Sequence, residues 1–576
     1  MKKTLLYVLS AAALLPAASS CSFLDEEPTV ICSDNFYTSE QDVRYGLAGV
    51  YGAMASENFY GYYYPIILSQ NDDLCYFNRN TTANYPELYA HDATSSNVYN
   101  AWVQIYRGIK NANAFMEAVK DSEFDPDHLY YNEARFLRAY YHFILAQAWG
   151  DVPLRDYEVT GRDQVMCPAT PQHDVLSWVV SEMEDCISLV NDDLNLAPSR
   201  ITDHTVEGIL ARVYLFMAGA TVQCSQDEKR EYYRLAMEHA GNVISSGEHR
   251  LNEDYSQVFI NMISDKYDTE YRESMWEVDF LGDCSSPDKW TNGRIGDLLG
   301  LQSTINSGFE NATCNFAYGQ YNGSLKLWDL YWQTDRTDDE NAVKDRITDS
   351  RQDWNMPPFN FRGDANNRPF GEPEGSSVTG SLGGIDPVPY VYGNVRSDVD
   401  LTVAAGQRNC GKWRRMVEWE GLMTSKMLYT TINFPILRYA DVLLMYAEAY
   451  NEYYGAPDEK VFKDCIVAIR DRAGIATRPF GEYSSQEAFR QLVRNERGRE
   501  LCFEALRKYD LIRWGIFVES VREYNDMVVD VRFISGGTPT KSATTIGQNV
   551  AERHVYLPIP SVELGVNKEL VQNPLW

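Results

Sequence analysis

The 576-residue chain carries 82 acidic against 52 basic residues, a formal net charge of −30. That balance excludes a nucleic-acid binder, which must lay a basic footprint along phosphates. The length holds several cores or one large composite domain, and after residue 20 no apolar run reaches bilayer-spanning length. Aromatic residues make up 13% of the chain, 39 of them tyrosines, enough to line an outer surface as well as a core. Tyrosine offers a flat apolar face and a polar tip, which suits contacts to sugars or peptides.

The chain opens with Lys2 and Lys3 and a short apolar stretch from Leu5 to Ala18, the shape of a secretory signal. Two processings fit: cleavage after the small run Ala18-Ser19-Ser20, or a lipoprotein signal in which Cys21 becomes the acylated first residue. The strict lipoprotein pattern has Leu three residues before the cysteine, and here Ala18 stands there. The sharper expectation is a signal peptide over 1–20 and a lipid anchor at Cys21. Acyl chains would hold the chain at about 0.8 kcal/mol per buried methylene. Asp25, Glu26 and Glu27 then keep the tether solvated.

From 38 to 247 the pattern is repeatedly helical. "SEQDVRYGLAGVYGAM" opens on Ser39, a fit N-cap. Trp102, Ile105, Tyr106, Ile109 and Ala112 recur at helical spacing, as do Leu137, Tyr140, Tyr141, Ile144, Leu145 and Ala148, with Gly150 and Pro153 as stop signals. Further helices are expected after Thr170-Pro171, over "TVEGILARVYLFMAGA", and over "EYYRLAMEHAGNVISSG" up to Gly247. Helix pairs of this kind, with small residues at the close approaches, resemble tetratricopeptide units of about 34 residues. Between about 250 and 430 the composition shifts to Gly, Asn, Asp, Ser and aromatics, which reads as long loops with short strands. Helices return at "FPILRYADVLLMYAEAYNEY", "KVFKDCIVAIRDRAGI" and "SQEAFRQLVRNERGRELCFEALRKYDLIRWG". Pro558 and Pro560 of "YLPIP" predict an extended segment laid across helices.

Little in the sequence asks for bond-making chemistry. The cysteines form no CxxC pair, and Cys186, Cys465 and Cys502 sit on helical patterns as small buried hydrophobes. His142 lies among aromatics and reads as a packed core histidine. There is no HExxH, GxSxG or P-loop, and no metal or cofactor is expected. Glu496, Arg497, Arg499, Glu500, Glu504 and Arg507 alternate in sign at i, i+3 and i+4, the pattern of an exposed helix stiffened by ion pairs. Glu448, on an otherwise apolar helix, is expected to be buried against Arg438 or Arg513.

Five blocks, "EARFLRAYYHFILAQAWGDVPL", "FPILRYADVLLMYAEAYNE", "IRDRAGI", "ERGRELCFEALRKYDLIRWG" and "YLPIPSVELGVNKELVQNPLW", stand in the order in which the SusD/RagB family of Bacteroidetes outer-surface lipoproteins carries them. The chain resembles that family over almost its whole mature length. The resemblance implies a mainly α, tetratricopeptide-like scaffold carrying a loop-rich binding face. It divides the chain into 21–248, a SusD-like N-terminal helical region, and 249–576, with a loop-rich binding portion over 249–430 and C-terminal helices and tail over 431–576. It implies no catalysis, an oligosaccharide or polysaccharide ligand, and delivery to a SusC-like TonB-dependent transporter in the outer membrane. The acidic residues after Cys21 look like the family's surface-export signal. A peptide-binding member of the same family is the alternative, and a surface glycoside hydrolase the more distant one.

The ligand is expected on two groups of loops. One is "NDDLCYFNRN", with Tyr76, Phe77, Asn78 and Arg79, which falls where the family's starch-binding member carries aromatic contacts. Tyr-Phe-Asn replaces tryptophans there, a departure that points away from starch. The other lies within 283–332, with Trp290, Phe316, Tyr318 and Tyr321 as candidates, and Trp328 and Trp332 in "LWDLYW" as structural aromatics. Flat rings match the axial C–H face of a sugar, and Asn and Arg fix its hydroxyls.

Overall fold

A computed structural model describes residues 36–281, 291, 293–303, 315–332, 349–357, 362–363, 369–370, 408–416, 418, 428–529 and 540–576. The architecture is mainly helical. The first helix, α1 (Glu40–Tyr51), starts where Ser39 accepts from the Asp42 amide. Next come α2 (Ser96–Val119) and α3 (Leu129–Trp149), which lie side by side. Gly108 of α2 permits the approach: a Cβ there would sit 2.7 Å from the Tyr141 ring of α3. α3 is buried almost all round and is the central rod of the N-terminal half. It stops at Gly150, whose φ of 80° a side chain would resist. His142 is indeed packed: Nδ1 donates to Arg138 O (2.9 Å), Nε2 accepts from the Arg155 amide (3.0 Å), and burial pulls its pKa down to about 3.

α4 (Gln172–Cys186), α5 (Asp203–Met217) and α6 (Gln226–Ser246) continue the stack pairwise. Thr202 caps α5, and a reciprocal Ser225–Glu228 capping box opens α6, which ends on Gly247 at φ 71°. The helix that packs next to α6 is remote in sequence, α10 (Tyr439–Tyr454). Between them run α7 (Tyr255–Ile263), β2 (Ser274–Val278), β3 (Tyr321–Gly323), α8 (Leu325–Trp332), α9 (Ser350–Asn355) and the two-residue strands β4 (Arg362–Gly363) and β5 (Pro369–Phe370). β2 pairs antiparallel with β6 (Phe434–Arg438), Glu277 opposite Pro435 and Val278 opposite Phe434. Trp276 of β2 drives into the core edge-on to Phe136 and Tyr140 of α3, at 5.7 and 4.7 Å between ring centres. The loop-rich part is thus fastened to the helical stack by aromatic packing.

The last third adds the helical run Glu459–Arg472, α11 (Gln486–Leu501), α12 (Arg507–Arg513), α13 (Phe517–Arg522) and α14 (Lys541–Asn549). The "YLPIP" segment lies across the end of α3, where Leu557 N donates to Ala148 O (2.8 Å) and Trp149 Nε1 to Pro558 O (3.1 Å). Cys186, Cys465 and Cys502 are buried thiols. Among the described residues no helix is long and apolar enough to cross a membrane.

The alternating charges of α11 correct the sequence reading. They face inward: Glu496, Arg497, Arg499, Glu500, Glu504 and Arg507 are all buried. Glu500 receives Arg472 (2.6 Å), Arg438 (3.1 Å) and Arg351 (3.1 Å), while Glu496 receives Arg351 (2.7 Å) and Arg499 (2.8 Å). Arg438 also reaches Glu273 (2.9 Å) and Glu504 (2.7 Å), and Lys412 reaches Glu504 (2.7 Å). A second cluster joins Asp441 to Arg212 and Arg497 (2.6 Å each), Arg497 to Asp510 (2.8 Å), and Arg513 to Glu448 (2.8 Å), the last being the partner expected for Glu448. The guanidinium groups outweigh the cost of burial and hold Glu496, Glu448 and Asp441 down at about 2. Mixed charges at helical spacing satisfy a neighbouring set of countercharges as well as they satisfy water, and here Arg351, Lys412, Arg438, Asp441, Arg472 and Asp510 supply them.

Candidate functional site

The two segments singled out in the sequence meet. β1 (Cys75–Phe77) and β3 form an antiparallel ribbon with Cys75 opposite Gly323, Tyr76 opposite Asn322 and Phe77 opposite Tyr321. The ladder continues past the strands, since Asn78 N donates to Gln320 O (2.8 Å) and Arg79 Nη2 to Tyr318 O (3.1 Å). Asn78 Nδ2 donates to Gly319 O (3.0 Å), 241 residues away in sequence, and to Asn322 Oδ1 (2.7 Å). Asn409 Nδ2 donates to the same Asn322 oxygen (2.8 Å) and to Gly319 O (3.2 Å).

Within this ribbon the predicted residues divide by exposure. Tyr76, Phe77 and Tyr321 are 3, 6 and 1% exposed, which corrects their assignment as ligand platforms. Their roles are internal: Tyr321 Oη donates to Ile66 O (3.0 Å), Tyr76 Oη accepts from Asn322 Nδ2 (3.2 Å), and Phe77 packs on Tyr321 at 5.6 Å. Alternation across the pleat did not rescue them, because the ribbon is covered on both faces. Tyr318 is 39% exposed, and Asn78, Arg79 and Phe316 are half-buried beside it. Phe316 meets Tyr318 edge to face, 4.8 Å between ring centres and 87° between planes. Trp328 is buried, as its structural reading expects. Trp290 and Cys21 lie outside the described residues.

The platform has a stiff base. Asp297 accepts the Tyr318 amide on Oδ1 (3.3 Å) and, through its carbonyl, the Gly319 amide (3.1 Å). Gly319 takes φ 53° there, and a Cβ would lie 2.7 Å from Gln302 N, so only glycine turns the chain at this point. Arg294 holds the Asp297 carboxylate (2.6 Å) and lies 5.2 Å over the ring of Tyr62. Burial raises the Asp297 pKa to about 6 against the pull of Arg294. Arg415 Nη1 donates to Phe316 O (2.7 Å) and pins the other end. On the β1 side, Ser542 at the start of α14 donates its amide to Arg79 O (3.3 Å).

Arg79 has no carboxylate partner among the described residues and is half-buried beside the exposed Tyr318 ring. This arrangement offers a ring face, an aromatic edge, a guanidinium and an amide to one ligand. Among the described residues it holds no nucleophile–base pair. The carboxylates of α11 that invite a catalytic reading are consumed by arginines. The void between Tyr60, Tyr140, Arg212 and Tyr509 has a volume of about 40 Å³, room for a water. Sequence reasoning missed Tyr62, Arg294, Asp297 and Ser542. The dense tyrosine run Tyr60, Tyr62, Tyr63, Tyr64 was the one available signal, whereas Arg294 and Ser542 are ordinary surface types whose role comes from tertiary placement alone.

Two family profiles match the chain, one described as "SusD family" over residues 388–576 and one as "Starch-binding associating with outer membrane" over 22–215. The curated SusD-like protein P25 of Formosa agariphila is 25% identical, over 97% of this chain and 96% of its own length. Among solved structures, a SusD homolog from Bacteroides thetaiotaomicron superposes with a TM-score of 0.78 at 23% identity, over 94% of this chain and 98% of that one. A laminarin-binding SusD-like protein superposes with a TM-score of 0.64 at 18% identity, over 94% of this chain and 100% of that one. Matched near its start and over its C-terminal third by profiles of one family, and paralleled end to end by a curated relative, the chain belongs to the SusD/RagB family.

Proposed function

We propose that the protein is a cell-surface glycan-binding lipoprotein, anchored through Cys21, that captures oligosaccharide and passes it to a SusC-like TonB-dependent transporter of the outer membrane. The observation that carries the binding step is the ribbon that gathers Asn78, Arg79, Phe316 and Tyr318 at one exposed edge. A sugar stacks its C–H face on Tyr318, while Arg79 and Asn78 meet its hydroxyls. Family membership and the laminarin-binding structural neighbour support a carbohydrate ligand, and the profile description supports association with the outer membrane. Binding without cleavage is the role proposed, in line with the laminarin-binding structural neighbour, which is described as a binding protein. The loop-rich portion over 249–430 supplies Phe316 and Tyr318 to the face, the region over 21–248 supplies Asn78 and Arg79, and the helices of 21–248 and 431–576 give the support.

Calorimetric titration with a panel of neutral oligosaccharides and peptides tests this reading, with product analysis on the same samples. Binding of an oligosaccharide without release of shorter sugars is expected. Binding of peptides alone, or sugar turnover by the purified chain, contradicts it. For the transporter step, purification of the tagged protein from membranes in mild detergent should bring a large β-barrel protein with it, and recovery as a free monomer at native expression contradicts that step.

A further inference from the structure

The platform is held from below by a carboxylate with few partners of its own. Asp297 lies in the helical turn Ile295–Leu299 with its side chain fully buried. Three successive amides of the ribbon loop are answered by this turn: Tyr318 N donates to Asp297 Oδ1 (3.3 Å), Gly319 N to Asp297 O (3.1 Å) and Gln320 N to Leu298 O (2.7 Å). Only the first of these bonds runs through a group that titrates. On its other side, Asp297 Oδ2 accepts from Arg294 Nη2 (2.6 Å) and Nε (3.2 Å). Arg294 donates its own amide to Gly61 O (2.8 Å), lies over the Tyr62 ring and stands 3.8 Å from Glu57 Oε1. Asp297 therefore ties the Tyr318 loop to the segment 57–62.

The charges around it set when it ionises. Glu496 receives Arg351, Arg499 and Arg470 and is held down at about 2. Among the described residues Asp297 has the single guanidinium of Arg294 in contact, and burial lifts it to about 6. Arg415, paired with Glu418 (2.8 Å), and Arg79 act on it through space. Burial pushes the Tyr62 hydroxyl up, so that ring stays neutral. Glu87, in the turn Pro86–Leu88 and within electrostatic reach of Tyr62, is raised by burial to about 7 and titrates over the same range. Because its folded-state pKa lies above the ordinary 3.8, Asp297 gives stability that is fully present below about pH 3.8 and is lost as pH rises through about 6. Protonation in that window leaves the fold sound while it changes the bonds under the edge.

We propose, on the basis of the sugar-holding role of Arg79 and Tyr318, that Asp297 is a positioning residue of the ribbon site and that a proton on its carboxylate loosens the hold on sugar. Ionised, Asp297 pairs with Arg294 and holds the Tyr318 amide, so the ring stands ready. Protonated on Oδ2, it presents an O–H where Arg294 needs an acceptor; the pair opens and the Tyr318 loop loses its tie to the Tyr62 segment. Sugar that needs the tied loop favours the ionised form, so binding at mildly acidic pH expels the proton. With half-titration at about 6, about a tenth of the molecules are ionised near pH 5, and apparent affinity falls by up to about tenfold.

Two measurements on the full chain test this, with the parent, Asp297→Asn and Glu87→Gln compared and melting temperatures as the check of folding. Asparagine keeps the acceptor for the Tyr318 amide and removes the titration. Hydrogen exchange read by mass spectrometry, corrected for intrinsic rates, follows the amides of 315–320 from about pH 7.5 to about pH 5 with no sugar present. Protection that falls several-fold through about pH 6 in the parent and in Glu87→Gln, and stays level in Asp297→Asn, supports the positioning role. Calorimetry with hexaoses of glucose, xylose and mannose, in buffers of different ionisation enthalpy, reads affinity and protons together. An affinity loss of up to about tenfold over that range, with release of up to about one proton per sugar bound below pH 6 and neither effect in Asp297→Asn, supports the proton link. The parent and Glu87→Gln profiles decide even where Asp297→Asn folds poorly. The inference is overturned if protection and affinity in the parent do not change with pH, if the change persists in Asp297→Asn, or if it disappears in Glu87→Gln instead. Should no hexaose bind while the exchange profile still follows Asp297, the positioning of Tyr318 is supported and it is the sugar reading of the ribbon that fails.

Discussion

Arg79 and Glu277 show how differently one charged side chain is used across this molecule. Arg79 donates from Nη2 to Tyr318 O at the half-exposed edge of the ribbon. Glu277, in β2, is buried next to Asp279, and burial together with that neighbour lifts its carboxyl to about 8. A folded-state pKa raised above the ordinary 4.5 gives stability that is fully present below about pH 4.5 and is lost as pH rises through about 8. Glu277→Gln keeps the shape and removes the titration. Its melting temperature should match the parent below about pH 4.5 and exceed it at about pH 9, measured by circular dichroism across the range. Equal melting temperatures at both ends contradict the burial argument.

At the level of elements, the helices were legible and the ribbon was not. Ser39, Gly150 and Gly247 mark helix ends in the sequence and mark them in the structure, because caps and left-handed turns are local devices. β1 and β3 are three residues each, and their partners are fixed by Asn322, Asn409 and the Gly319 turn, none of which leaves a periodic signal. The first candidate segment was therefore placed by the family resemblance and the second by its aromatic composition, and which of their aromatics turn inward became visible only with the pairing. The inward charges of α11 were missed for the reason already given: spacing does not say what a charged stripe faces. Two predictions belong here. Gly108→Leu should drive α2 from α3 against Tyr141 and cost about 1–3 kcal/mol in chemical denaturation, while a helix-surface change such as Glu117→Gln costs less than about 0.5. Arg438→Met should destabilise the fold in chemical denaturation, but by less than the ~3–5 kcal/mol of an uncompensated buried charge, since Glu273 and Glu500 keep Arg472 and Glu504 keeps Lys412. In the parent, Glu496, Glu448 and Asp441 titrate low, so their stabilisation is complete above about pH 4.5 and is lost as pH falls toward about 2.

Across the molecule as a whole, Trp276 and the arginine network fasten the described parts of the loop-rich portion to the helical stack, and an edge held in advance needs little ordering on binding. The proposed anchor at Cys21 has its own test. Cys21→Ala should release the chain into the soluble fraction, and full partition of that variant into detergent contradicts the anchor. The central claim is that Arg79 and Tyr318 hold sugar. Calorimetry of the Arg79→Ala/Tyr318→Ala variant against the oligosaccharide bound tightest by the parent tests it most directly. A loss of affinity of about tenfold or more with an unchanged melting temperature is predicted, as stacking and guanidinium contacts each contribute roughly 1–3 kcal/mol. Parental affinity in a normally folded variant contradicts it.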